Sequence, residues 1–197
     1  MSLPRYGGYK DSGVEWIGRV PEHWQVLPVK RVIDRIESGT SVNATDEPAA
    51  DGTPGVLKTS CVYTGQFNVR ENKSVIEAEI DRVSCPLKCG TLIVSRMNTP
   101  ELVGAAGLVI LTQANIYLPD RLWQVHFSDA VPAFAHYWTQ SPCYRTQVRT
   151  VCAGTSSSMQ NLGQDQFGLV RIIPLCESAR WRAGQNRKIP RPRNRKD

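Results

Sequence analysis

The chain has 197 residues, of which 41% are hydrophobic, and it carries a net charge of +6. This length suits a single domain, and the composition suits a folded protein with a buried core. Residues 176–197 hold eight of the 24 Lys and Arg but only two of the 18 acids, so they account for the whole net charge. Residues 1–175 are balanced at 16 bases and 16 acids, and their overall charge gives no support to nucleic-acid binding. No apolar run approaches the roughly 20 residues needed to span a bilayer, so no membrane association is expected.

The first half of the chain predicts short elements separated by loops. Residues 1–28 are expected to form an irregular arm that packs on the domain. An apolar face at helical spacing predicts a short helix over Val29–Ile36. The Asp-, Pro- and Gly-containing stretch 43–54 predicts a surface loop. Gly55–Val62 is predicted as a strand, and Ser74–Asp81 as a short helix.

The second half predicts three strands, two helices and a further strand. The first three strands are Thr91–Ser95, Val103–Leu111 and Leu122–Phe127. One helix is expected to begin near Pro132, and the other to follow Ser141 as its N-cap, with Pro142 in the first turn, and to run to about Val151. A polar loop at Thr155–Asn161 and a strand at Leu169–Ile173 complete the pattern. Because strands and helices mix without strict βαβ alternation, the expected class is α+β.

The sequence character changes after Leu175. Residues 176–197 have no apolar periodicity and are rich in Arg, Pro and Asn, which favours a basic disordered tail. The predicted organisation is therefore the arm at 1–28, one domain at 29–175 and the tail at 176–197.

Two blocks near the ends of the predicted domain resemble a known family. The first runs over Tyr9–Gly18 and Val20–Trp24, and the second over Gly154–Leu162, followed by the apolar run Leu169–Leu175. Together they resemble the opening and closing segments of a target recognition domain from the specificity (S) subunit of type I restriction-modification systems. Intermediate blocks at similar spacing are Val56–Gly65, Leu92–Gly104 and Asn115–Trp123, so the resemblance covers roughly residues 9 to 175.

The resemblance implies a module that reads one half of a bipartite site in double-stranded DNA. Such a chain would direct methyltransferase (M) and restriction (R) subunits and would catalyse nothing itself. S-adenosylmethionine and ATP would belong to those partners, so no cofactor is expected on this chain. In the family a long helix follows the final strand, and residues 176–197 depart from that pattern. A frameshift or premature end would explain the departure, and a genuine basic tail is the alternative.

Catalytic and metal sites have only weak support in the sequence. The chain lacks the Asn/Asp-Pro-Pro-aromatic motif of adenine methyltransferases and the phosphate-binding loop of ATPases. Glu71-Asn72-Lys73, with Asp51 upstream, gives the alternative of a small metal-dependent nuclease. Cys85 and Cys89 offer two ligands for zinc, which needs four. A non-functional remnant of a specificity subunit is a further alternative.

The six cysteines form no compact framework, and no secretion signal precedes them. They are therefore predicted to be reduced thiols in a cytoplasmic protein.

Three polar segments carry side chains suited to DNA. Arg and Lys suit guanine, Asn and Gln suit adenine, and cations and hydroxyls suit phosphates. The first segment offers Lys58, Thr59, Ser60, Tyr63 and Gln66. The second, at the exit of the predicted strand Thr91–Ser95, offers Arg96, Asn98 and Thr99. The third offers Ser157, Gln160 and Asn161, together with Arg145 and Arg149 on the preceding helix.

These thirteen residues are the predicted DNA contacts. Each segment also has a structural alternative, because polar side chains of this kind form turns and helix caps in many proteins.

Overall fold

Short strands and a few helices make up the part of the chain that the structure describes. The computed structural model describes residues 6–15, 17–128, 130–152 and 158–173. Its strands are β1 Tyr9–Asp11, β2 Arg19–Pro21, β3 Leu27–Pro28, β4 Ile33–Ser38, β5 Gly55–Leu57, β6 Asn72–Ser74, β7 Leu92–Ser95, β8 Met97–Asn98, β9 Ala106–Leu108, β10 Ile116–Tyr117, β11 Leu122–Phe127, β12 Gln160–Asn161 and β13 Arg171–Ile172. Its α-helices are α1 Pro132–Thr139, α2 Pro142–Val151 and α3 Gln164–Leu169, and its 3-10 helices are Val29–Arg31, Thr59–Val62 and Glu77–Arg82. The fold is α+β, as the sequence predicts.

The central four-stranded antiparallel sheet, in the order β4-β11-β7-β9, separates two hydrophobic cores. One face of β7 and β11 fills the larger core with Leu92, Val94, Trp123 and Val125. The alternate positions Ile93 and Leu122 enter the smaller core. Since successive side chains of a strand point to opposite faces, a strand covered on both sides is mostly apolar. The predicted strands Thr91–Ser95 and Leu122–Phe127 are confirmed.

A second, three-stranded sheet covers the smaller core. In it β5 lies between β10, which is parallel to it, and β6, which is antiparallel. The prediction of one strand over Gly55–Val62 is correct only for its first three residues. At Cys61 the backbone N–H donates to the Lys58 carbonyl at 3.1 Å, and this turn starts the 3-10 helix. The turn buries Cys61 and Val62 in the core.

The helices α1 and α2 pack on the larger core and begin where the sequence predicts. Ser141 is the N-cap of α2, and its Oγ accepts the backbone N–H of Tyr144 at 3.2 Å. Such a cap satisfies one of the unpaired donors of the first turn and contributes about 1 kcal/mol. Tyr144 and Val148 of this helix are fully buried.

The predicted helix Val29–Ile36 is wrong. Only a 3-10 turn, Val29–Arg31, forms, and β4 then pairs with β11. A β-bulge between His126 and Phe127 shifts the register of that pair, so Ile33 and Ile36 both pack against the larger core. Their spacing of three residues therefore imitates a helical face, although the chain is extended.

The predicted strand Leu169–Ile173 is also mostly wrong. Leu169 ends α3, and the strand is reduced to the two residues of β13. Gly163 opens α3, with its backbone N–H donating to the Gln166 side chain at 2.8 Å, and Phe167 is buried in the larger core. Burial of one aromatic ring from a short helix here outweighs the strand preference of the apolar run.

A short ladder joins an early strand of the chain to the last described strand. β13 pairs antiparallel with β3, while β1 and β2 form a separate hairpin. The predicted helix Ser74–Asp81 corresponds to the 3-10 helix Glu77–Arg82, and the predicted strand Val103–Leu111 is reduced to β9. The predicted tail, 176–197, lies outside the described residues. Among the residues that the structure describes, no helix is long and apolar enough to cross a membrane.

Candidate nucleic-acid interface

The three polar segments singled out in the sequence converge at one end of the central sheet. β8 pairs antiparallel with β12, which sets Asn98 opposite Gln160 and Met97 opposite Asn161. From the first segment, Tyr63 Oη accepts a hydrogen bond from Asn98 Nδ2 at 3.0 Å. We call Tyr63, Arg96, Asn98, Gln160 and Asn161 the polar cluster.

Backbone hydrogen bonds link the polar cluster to the central sheet and to the larger core. Arg96 follows the last residue of β7, and its N–H donates to the Arg121 carbonyl at 3.0 Å. The Arg96 carbonyl accepts the N–H of Leu162 at 2.8 Å. Since Leu162 is fully buried, it anchors the β8–β12 ladder to the larger core. The cluster is thus built on an extension of the most buried strand.

The side chain of Asn98 is buried, and its amide is hydrogen-bonded within the protein. Only 7% of it is exposed, and its Nδ2 donates to Tyr63 and, at 3.1 Å, to Ser95 Oγ. Its Oδ1 accepts the backbone N–H of Thr99 at 2.9 Å. Both ends of the amide are therefore satisfied, and the geometry gives Asn98 the role of positioning Tyr63 and the Thr99 turn.

Arg96 and Gln160 carry unused hydrogen-bonding capacity. Arg96 Nε and Gln160 Oε1 are buried and have no hydrogen-bond partner among the described residues. A buried group without a partner costs about 1–3 kcal/mol, so such atoms are rare in folded proteins. Asn161 and Tyr63 are exposed at the same place. The cluster therefore combines accessible amide and hydroxyl groups with unsatisfied donors and acceptors.

The segment Lys58–Gln66 is held in place by Glu71. The Glu71 carboxylate accepts a hydrogen bond from Ser60 Oγ at 2.5 Å and forms an ion pair with Lys58 Nζ at 3.0 Å. The hydrogen bond from Ser60, followed by that from Lys58, lowers the pKa of Glu71. Thr59 Oγ1 lies 2.8 Å from Tyr63 Oη, and Gln66 is exposed. Of this segment, Thr59, Tyr63 and Gln66 face the solvent or the polar cluster.

The weak alternatives are not assembled as sites in the described residues. Glu71 is occupied by Ser60 and Lys58, and Asp51 lies in an exposed turn. Cys89 Sγ donates to the Ile110 carbonyl at 3.2 Å, and burial raises the pKa of Cys85 to about 11. No group of three or more His, Cys, Asp or Glu is placed to hold a metal ion in this part of the chain.

Arg145 braces the turn that follows the polar cluster. Its guanidinium donates to the carbonyls of Val103 at 2.6 Å, Glu101 at 2.9 Å and Pro100 at 3.3 Å. Desolvation by burial lowers its pKa, as expected for a partly enclosed cation. The guanidinium of Arg145 is therefore hydrogen-bonded to backbone carbonyls of the turn.

The next residue of the turn packs closely on α2. Gly104 has φ of +75°, and a Cβ there would lie 2.9 Å from Val148 Cγ1. Arg149, one helical turn beyond Arg145, is exposed, whereas Ser157 lies outside the described residues.

Sequence reasoning missed a groove beside the polar cluster. The groove has a volume of about 430 Å³, and its lining includes Lys58, Thr59, Lys73 and Arg121. Arg121 precedes an apolar strand, as Arg96 follows one, and this position at a strand end is the signal that could have identified it. Lys73 pairs with Asp46 at 2.5 Å, and the hydrogen bond from Lys73 lowers the pKa of Asp46.

A separate charge cluster surrounds Glu37 on the central sheet. Lys88 Nζ lies 3.0 Å from both carboxylate oxygens, and His126 Nε2 and Gln124 Nε2 contact Oε2 at 2.5 and 3.1 Å. Desolvation raises the pKa of Glu37, but the hydrogen bonds from Lys88, His126 and Gln124 outweigh it and lower the pKa to about 2.

Comparison with known proteins identifies relatives of one kind. The specificity subunit of the type I restriction enzyme EcoEI of Escherichia coli is 26% identical over 116 residues, which cover 58% of this chain and 20% of the relative. The specificity subunit of EcoKI from Escherichia coli strain K12 is 25% identical over 166 residues, which cover 81% of this chain and 35% of the relative. No family model matches the chain.

The fold agrees with the sequence comparison. The crystal structure of the HsdS subunit from Thermoanaerobacter tengcongensis superposes with a TM-score of 0.51 at 14% identity, over 90% of this chain and 39% of that one. The chain resembles type I restriction specificity subunits in sequence and in fold. It spans about a fifth and about a third of the length of the two curated relatives.

Proposed function

We propose that this chain is the DNA sequence-recognition module of a type I specificity subunit. It reads one half of a bipartite site in duplex DNA and directs M and R subunits to that site. The chain itself performs no chemistry, and the cofactors of methylation and restriction belong to the partner subunits.

The observation that carries this proposal is the convergence in the polar cluster. Its residues come from three separate parts of the sequence and meet where β7 leaves the sheet. Amide and guanidinium groups are the side chains that distinguish bases in the major groove. Their placement on an extension of a buried strand supplies the rigidity that a sequence-reading site needs.

Within the cluster the residues have different roles. Asn161 is exposed and suits the paired donor and acceptor of adenine, whereas Arg96 suits guanine. Gln160 offers the acceptor that is unsatisfied in the free protein. Asn98 and Arg145 position these groups from behind and make no contact with bases. Ser157 and Arg149 remain predicted contacts.

The test is selection from a randomised duplex pool by the full chain together with an M subunit of the same system. We expect enrichment of a short, fixed sequence of a few base pairs. Asn161→Ala is expected to relax the preference at one position, because a good bidentate contact discriminates by about 1–3 kcal/mol. Gln25→Ala is the matched control, since Gln25 is an exposed amide outside the polar cluster.

Two outcomes would contradict the proposal. Selection of the same sequence by Asn161→Ala, Gln160→Ala and Arg96→Ala alike would remove the polar cluster from readout. No selective binding by the parent chain, with or without the M subunit, would favour the alternative of a folded but non-functional remnant.

A further inference from the structure

The groove beside the polar cluster has the composition of a phosphate site. Among the described residues that line it, Lys58, Lys73 and Arg121 are basic and Asp120 is acidic. The three cations come from different elements: Lys58 follows β5, Lys73 lies on β6, and Arg121 precedes β11. Thr59 adds a hydroxyl at the same wall. Cations and hydroxyls are the groups that position nucleic-acid backbones.

The groove is continuous with the polar cluster at two points. At one wall, Thr59 Oγ1 lies 2.8 Å from Tyr63 Oη. At the other, the Arg121 carbonyl accepts the Arg96 N–H, directly beyond the last ladder pair, Leu122 with Ser95. A strand of DNA that occupies the groove would therefore enter the polar cluster without a gap.

Arg96 and Arg121 are neighbours across the end of the β7–β11 ladder. Neither forms an ion pair with an acid in the described part of the chain. A phosphate bound by Arg121 would therefore displace no carboxylate from its guanidinium.

The two lysines are paired with carboxylates that lie outside the lining. Lys73 pairs with Asp46, whose side chain is 94% exposed, and Lys58 pairs with Glu71, whose side chain is 35% exposed. Exposed ion pairs contribute only about 0–1 kcal/mol, so a phosphate can replace Asp46 at little cost.

We propose that this groove binds the backbone phosphates of one DNA strand, with Arg121 as the principal contact and Lys73 as a second contact that exchanges Asp46 for phosphate. The inference rests on the proposed function and names the surface that sets affinity, as distinct from the polar cluster that sets sequence preference.

The experiment measures how duplex binding by the full chain, with its M subunit, depends on salt between 50 and 200 mM. Each phosphate contact contributes about 0.9 to the slope of log affinity against log salt. With Arg121→Gln, the fourfold rise in salt is therefore expected to weaken binding about 3.5-fold less than it weakens parent binding. The selected sequence is expected to stay the same. Arg31→Gln is the matched control, because Arg31 is exposed and lines neither the groove nor the polar cluster.

A variant that is expected to bind DNA more tightly is also needed, because misfolding can weaken binding but does not strengthen it. Asp46→Asn frees Lys73 and is expected to tighten binding and steepen the slope. Asp165→Asn makes the same charge change on exposed α3 and is expected to have a smaller effect. The inference is overturned if Arg121→Gln keeps the parent slope or changes it no more than Arg31→Gln, or if the two Asp variants agree. Such a result, with sequence selection intact, leaves the proposed function standing. Absence of any duplex binding by the parent overturns both.

Discussion

Replacing Arg145 by methionine tests whether this residue braces the recognition turn or contacts DNA itself. The substitution keeps an unbranched stem of similar length and removes the guanidinium. Of its three hydrogen bonds, the one to Val103 is short at 2.6 Å, the one to Glu101 is of normal length at 2.9 Å, and the third, at 3.3 Å, is long. Charge-assisted bonds contribute about 1.5–3 kcal/mol each, which gives about 3–6 kcal/mol for the two good ones.

Burial of the cation offsets part of this gain, since desolvation favours the neutral form of Arg145. We therefore expect the free energy of unfolding to fall by about 2–3 kcal/mol in Arg145→Met. For a domain of this size each 1 kcal/mol moves the Tm by about 2–4 °C, so the Tm should fall by about 5–10 °C.

The assay is urea unfolding and thermal melting of parent, Arg145→Met and Arg149→Met without DNA. Arg149 is the matched control, because it lies one turn along the same helix and is exposed. Its loss should change stability by no more than about 0.5 kcal/mol. Hydrogen exchange adds a local readout: the Leu102 and Val103 amides, which bond to the Thr99 carbonyl, should exchange faster in Arg145→Met.

The bracing argument is refuted if Arg145→Met and Arg149→Met are equally stable. A lower salt slope of DNA binding at unchanged stability would instead restore Arg145 as a direct phosphate contact, as the sequence predicts.

Two further predictions concern side chains that are hydrogen-bonded by residues distant in the sequence. Because the folded pKa of Glu37 lies near 2, below its ordinary value of 4.5, its contribution is fully present above about pH 4.5 and is lost as the pH falls through about 2. Because solvent screens this partly exposed group, urea unfolding between pH 7 and pH 2.5 should show a loss of about 1 kcal/mol in the parent that Glu37→Gln lacks, and parallel curves for the two proteins would contradict this. Asn98→Ala should lower the free energy of unfolding by about 2 kcal/mol, because it removes three hydrogen bonds in a buried place, whereas Asn161→Ala should leave stability within about 0.5 kcal/mol. Equal melting curves for the two Asn variants would show that the amide of Asn98 is dispensable to the fold.

Local signals explain which elements could be predicted from the sequence. The start of α2 is set by local residues, because Ser141 caps the first turn and Pro142 occupies it. The apolar run that begins at Leu92 indicates a strand that is covered on both faces. The region after Val29 could not be predicted in this way. Its extended form depends on pairing with β11, which lies about 90 residues later, and a bulge in that pair disguises the alternation.

The same distinction between local sequence and tertiary contacts applies to the candidate site. The sequence by itself determined the chemistry of the three polar segments and the resemblance to specificity subunits, because residue types and their order are properties of the chain. Only the tertiary structure decided that the segments meet, that Asn98 is buried, and that Arg121 stands beside Arg96. The use of a polar side chain depends on which partner lies within about 3 Å, and partners from distant parts of the chain are chosen by the packing of the sheet and its two cores.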